Sequence, residues 1–166
     1  MGIVSAAADL VIAVFSLTIA VAAPLIDGQS VLPHGLYPAR LVELKRWYAA
    51  EYGDYLMARP PGFFRGIVCL ELAFLWPLAV ATLYGLLTRR RWVATTSLMA
   101  GVATLSSMSA VLGDMLGSGK ATPTLLQMYV PFIVFAVIAI LRGLCSSSER
   151  TTAGSSLEPS ARKKRA

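Results

Sequence analysis

Gly66-Ile67-Val68-Cys69-Leu70-Glu71-Leu72-Ala73-Phe74-Leu75-Trp76-Pro77 opens an apolar run that continues to Leu87. About 20 such residues, rising 1.5 Å each as a helix, cross the hydrocarbon of a bilayer. The run carries one carboxylate, Glu71, and one helix breaker, Pro77. A charge at the bilayer centre costs about 2.5 kcal/mol or more, so an acid here is expected to face protein or a wet cavity.

Three more runs of similar length flank this one, and together they cover residues 7–26, 66–87, 92–116 and 124–144. Of 166 residues, 56% are hydrophobic and 14% charged, and the mean hydropathy is +0.65. A soluble domain of this size has no interior large enough for that much apolar side chain. The period-2 alternation of a membrane β-barrel is absent. The expectation is an all-α, four-helix transmembrane bundle, one domain over residues 1–145, followed by a disordered cytosolic tail over 146–166. Ala20-Val21-Ala22 fits a signal-peptidase site, but residues 1–10 hold no Lys or Arg. The apolar run is also longer than a signal core, which favours an uncleaved helix.

The connection over residues 28–62 is more than a linker. Leu36, Leu41, Leu44, Trp47 and Tyr48 recur at helical steps, with Arg40, Glu43, Lys45, Arg46, Glu51 and Asp54 between them. This pattern predicts one or two short amphipathic helices on the bundle mouth or in the headgroup layer.

Lys and Arg mark cytosolic loops. Arg89, Arg90 and Arg91 join spans two and three, and six more basic residues follow from Arg142, against six on the opposite side. Both termini are therefore expected in the cytosol. The net charge of +6 is read as this topology signal rather than a nucleic-acid surface. Lys164 and Lys163 are the third and fourth residues counted back from the carboxy terminus, like the dilysine signal that returns membrane proteins to the endoplasmic reticulum. Cys69 and Cys145 provide no disulfide framework, although Cys145 has the juxtamembrane place of a palmitoylated cysteine.

The third span is rich in small residues. Ser97 with Gly101, and Ser106 with Ala110, have the spacing that lets helices approach closely and permits a homodimer. Ser106 and Ser107 are also candidates to line a cavity. In the fourth span, Pro131 removes a backbone bond beside Gln127 and Tyr129.

Span two enters from the non-cytosolic side, so Glu71 lies about 7 Å deep. Asp27 ends span one on that side. Two carboxylates at similar depth repel unless a proton or cation joins them. The pair therefore reads either as a hydrogen-bonded lock between helices or as a site for an amine or hydroxyl.

Asp27-Gly28-Gln29-Ser30-Val31-Leu32-Pro33, Leu36-Tyr37-Pro38, Lys45-Arg46-Trp47-Tyr48-Ala49, Pro60-Pro61 and Cys69-Leu70-Glu71-Leu72-Ala73-Phe74 resemble the sigma-2 receptor family. That family lies in the EXPERA group with emopamil-binding protein, a sterol isomerase. The resemblance implies a four-helix protein of the endoplasmic reticulum with a lipid-accessible pocket for amine ligands and sterols, acting in sterol homeostasis or trafficking. It implies that Asp27 pairs with a ligand amine, that Glu71 holds Asp27, and that Tyr129 lines the pocket. Gln29, in the motif of Asp27, and Ser106 complete the candidate ligand site. Where the family has a glutamine one turn beyond the glutamate, this chain has Leu75. The isomerase relatives carry a histidine one turn before that glutamate, where Ile67 stands here, so a binding protein is expected rather than an enzyme, with no cofactor or metal. The expected partners are a sterol or hydrophobic amine, membrane lipid and a sterol-transport protein.

Overall fold

The structure, a computed structural model, describes the backbone of residues 3–155 and the side chains of residues 5–145. Among these, all regular structure is helical: α1 (Ile3–Leu25), α2 (Ala39–Glu51), α3 (Tyr55–Ala58), α4 (Gly62–Leu70), α5 (Trp76–Leu87), α6 (Val93–Gly117) and α7 (Pro123–Ser155). Two 3-10 turns, Asp27–Ser30 and His34–Leu36, precede α2, and a π-helical turn, Glu71–Leu75, joins α4 to α5. Four continuous helical stretches are long and apolar enough to cross a membrane: Ser5–Ser30, Gly62–Leu87, Val93–Gly117 and Pro123–Cys145.

These four pack in a ring, with α5 against α1 and α6, and α7 against α6 and α1. The α6–α7 seam is the tightest because two positions lack a side chain. A Cβ on Gly101 would lie 2.8 Å from the Ala136 carbonyl, and one on Gly143 would lie 2.7 Å from that of Ala94. Ser97, predicted with Gly101 as a close-approach pair, is buried in α6. Ser106 and Ala110 are exposed and leave that spacing without a partner helix.

Three prolines shape the spans. Pro24 in α1 has no N–H, so the carbonyl four residues earlier, Ala20, loses its helical donor. The Trp76 indole fills that place at 3.0 Å. Pro77 follows the π turn, which is closed by the Trp76 N–H donating to the Glu71 carbonyl. A π turn adds a residue to the helical cycle and is often found at functional sites. Pro131 lies inside α7.

Helix α7 continues to Ser155, beyond the boundary at Leu144 expected from hydropathy. The fall in hydropathy marks the end of the apolar surface, and nothing in Cys145-Ser146-Ser147-Ser148-Glu149-Arg150 breaks a helix. The tail expected to be disordered thus begins as helix; Lys163 and Lys164 lie outside the described residues. The long connection folds over one end of the bundle as expected, although α2 turns an unexpected face inward.

Candidate functional site

Glu71 stands at the first position of the π turn, half-buried. It lines a narrow cleft of about 50 Å³ between α1, the second span, α6 and α7, together with Thr104 and Ser107. The walls are otherwise apolar, with Phe15, Ile19, Ile67, Leu75, Met108 and Phe132. Thr104 is 2% exposed, and its hydroxyl has no hydrogen-bond partner among the described residues. A buried hydroxyl without a partner costs about 1–3 kcal/mol, so this one marks a place where a polar atom is wanted. Outside the cleft, Phe74, Leu98, Met99 and Val102 form an open apolar groove of about 310 Å³, and Ala103 lines both spaces.

A second polar cluster sits beside the cleft, beneath the connecting helices. Asp54 is fully buried. One carboxylate oxygen accepts from the Leu56 and Met57 amides, at 3.0 and 3.1 Å, as the N-cap of α3. The other accepts from the Tyr129 hydroxyl at 2.8 Å. Lys45 points inward from α2, and its ammonium donates to Ser30 Oγ at 2.6 Å. Asp27 opens the 3-10 turn that ends at Ser30, within electrostatic reach of Glu71, Lys45 and Asp54. Neither Asp27 nor Glu71 makes a side-chain hydrogen bond among the described residues, so the two acids lie within electrostatic reach without locking their helices together.

Burial pushes the Lys45 ammonium below its ordinary range, and the charges of Asp27 and Asp54 pull it back. Tyr48, whose hydroxyl contacts Met128 Sδ at 3.2 Å, is pushed up to about 12 by burial first, then by Asp54, Asp27 and Tyr52.

The residues predicted from sequence thus separate. Asp27 and Glu71 lie within electrostatic reach of each other. Tyr129 faces Asp54 rather than the cleft. Gln29 is buried and serves the backbone, donating to the carbonyls of Leu25 at 2.7 Å and Leu41 at 3.2 Å, while its own Oε1 has no partner. Ser106 is displaced from the site: it is exposed and bonds back to the Val102 carbonyl at 2.9 Å. Its neighbour Ser107 takes the cleft position, because one residue turns a helix by about 100°.

Asp54, Lys45 and Thr104 were not singled out by spacing. Gly53-Asp54 ahead of Tyr55-Leu56-Met57 is readable as a helix N-cap, but the Tyr129 contact is not. A polar residue amid small neighbours, such as Thr104, gives no sign of which face it takes. In α2, Arg40, Glu43, Arg46 and Glu51 are exposed as the pattern predicts, but Leu44 and Trp47 also lie outside and Lys45 alone of the charged residues lies inside.

A family model, EXPERA (EXPanded EBP superfamily), matches residues 40–143. Sigma intracellular receptor 2 of Xenopus tropicalis is 27% identical over 139 residues, covering 76% of this chain and 81% of that protein. The proteins of the same name from Macaca fascicularis and Homo sapiens are each 28% identical over 131 residues, covering 69% of this chain and 74% of their own.

Proposed function

The chain belongs to the EXPERA family and is a multi-pass membrane protein, and on that premise we propose that it binds sterol-like or cationic amphiphilic ligands inside its helix bundle. One observation carries this reading: Asp27 lies within electrostatic reach of Glu71, which lines an apolar cleft, and neither has a side-chain hydrogen-bond partner among the described residues. A helix lock would require those carboxylates to bond across helices. A ligand site leaves them available to an amine or a hydroxyl. The unpartnered Thr104 hydroxyl on the same cleft supports a hydroxyl-bearing ligand.

The cleft of about 50 Å³ is far below the roughly 300–1,000 Å³ of a drug-sized pocket. Binding therefore moves side chains apart, and the apolar groove sharing Ala103 with the cleft gives the ligand a way in from lipid. Glu71 is the one acid lining the cleft, whereas isomerising a sterol double bond needs both a proton donor and an acceptor. This favours binding over catalysis, and with it a role in sterol homeostasis or trafficking. The arginine turn at Arg89, Arg90 and Arg91 supports both termini in the cytosol, and residence in the endoplasmic reticulum rests on the family resemblance. A sterol-transport protein is the partner this role calls for, and the exposed Ser106–Ala110 face is where a homodimer would form.

The test is mass spectrometry of lipids that co-purify with the protein and with Asp27→Asn and Glu71→Gln. A sterol enriched in the wild type and lost from both folded variants is the expected result. Equal lipid content in all three would refute the reading.

A further inference from the structure

Lys45 sits where solvation alone would not put it. Its neighbours Leu44 and Trp47 are 47% and 55% exposed, while Lys45 is 8% exposed. A lysine at a membrane boundary ordinarily snorkels so that its ammonium stays in water. An inward lysine has to be compensated by opposite charge.

Among the described residues one neutral atom holds it directly, Ser30 Oγ at 2.6 Å, although an ammonium has three N–H groups to donate. Ser30 and Asp27 are the last and first residues of one 3-10 turn. Side chains three apart in such a turn stack on the same face, so the Ser30 anchor holds the ammonium on the Asp27 side. Asp54 also lies within electrostatic reach, but its oxygens already accept from Leu56, Met57 and Tyr129. Of the two carboxylates within electrostatic reach of Lys45, Asp27 is the one that makes no side-chain hydrogen bond among the described residues, and Glu71 is within its reach as well.

We propose that Lys45 is the resident counter-ion of Asp27, so that a cationic ligand competes with it and residue 45 sets the site's preference for neutral, hydroxylated sterols over amines. This deepens the ligand-site reading above and rests on it. An ammonium entering the site meets a carboxylate already partly neutralised, and a like charge close by. A hydroxyl meets neither penalty.

The experiment uses the full chain in phosphatidylcholine nanodiscs and a matched pair of probes, cholesterol and its 3-trimethylammonium analogue, whose charge does not titrate. Lys45→Gln is expected to raise affinity for the cationic probe about tenfold, as removal of one nearby like charge does at intermediate dielectric, and to leave cholesterol within about twofold. Lys45→Arg is expected to follow the wild type. Lys45→Met carries the same expectation as Lys45→Gln and replaces it if the glutamine variant does not fold. Unchanged or weaker cation binding in the neutral variants overturns the proposal while leaving the ligand site standing. If Asp27→Asn and Glu71→Gln, measured alongside, change the binding of neither probe, the ligand-site reading itself fails and takes this proposal with it.

Discussion

Tyr129 and Asp54, separated by 75 positions of sequence, meet inside the protein with the phenol donating to the carboxylate at 2.8 Å. The contact pins the connecting segment to the fourth span, because the same carboxylate caps α3. Tyr129→Phe leaves one Asp54 oxygen buried without a donor and is expected to destabilise the protein by about 1–3 kcal/mol. Asp54→Ala, which also removes the cap, should cost more. Thermal unfolding in nanodiscs measures both, and a Tyr129→Phe variant as stable as the wild type would show that the bond holds nothing.

The Trp76 indole compensates for Pro24 by taking the carbonyl of Ala20. Trp76→Phe is therefore expected to cost about 1 kcal/mol, the scale of a hydrogen bond between helices in a membrane. In a Pro24→Ala background residue 24 regains its N–H, the carbonyl has a helical donor again, and the same change should cost close to nothing. A double-mutant cycle reads the difference as a coupling energy; additive effects would count against the pairing.

Arg89 closes α5 with a φ of 53°, the left-handed conformation that an L side chain adopts at a cost of about 1–2 kcal/mol. The Arg90 amide returns to the Gly85 carbonyl at 2.8 Å, and that of Arg89 to Leu86 at 3.3 Å, a Schellman closure that normally carries glycine. Arg89→Gly is expected to stabilise the fold by about 1 kcal/mol. It would also remove one of three charges from the orientation signal, so stability and topology should be scored separately. Unchanged or lower thermal stability would contradict the strain.

Tyr48 supplies a pH dependence. Its folded pKa is pushed up to about 12, against about 10 in an unfolded chain. Between these values the unfolded state releases a proton that the folded state keeps. The stability tied to this group is thus complete below about pH 10 and is lost as the pH rises toward 12. Melting temperature followed from pH 9 to 12 should fall more steeply in the wild type than in Tyr48→Phe. Parallel curves would mean that the phenol titrates normally.

The spans were legible because hydrocarbon imposes a length and an apolarity that composition reports directly; the four helical stretches begin and end within a few residues of the runs in the sequence. Asp27 and Glu71 were legible for the same reason, as acids that apolar surroundings do not tolerate without cause. The π turn was not, since Glu71-Leu72-Ala73-Phe74-Leu75 has an ordinary helical composition and only Pro77 hints at a disturbed hydrogen-bond ladder. Ser106 and Ser107 differ by one position, and hydropathy has no means to choose between them.

Lys45 was misread for a deeper reason. An amphipathic pattern states that two faces differ, and water is assumed to take the polar one. That assumption holds for Arg40, Glu43, Arg46 and Glu51, which are exposed, and fails at Lys45, which turns in while Leu44 and Trp47 turn out. By itself the sequence determined that this chain is a four-span helical membrane protein with two acids at one end, because solvation energy is local and additive along the chain. Only the tertiary structure decided which groups those acids meet, because the approach of Lys45, Asp54 and Tyr129 depends on how the connecting helices fold back over the bundle.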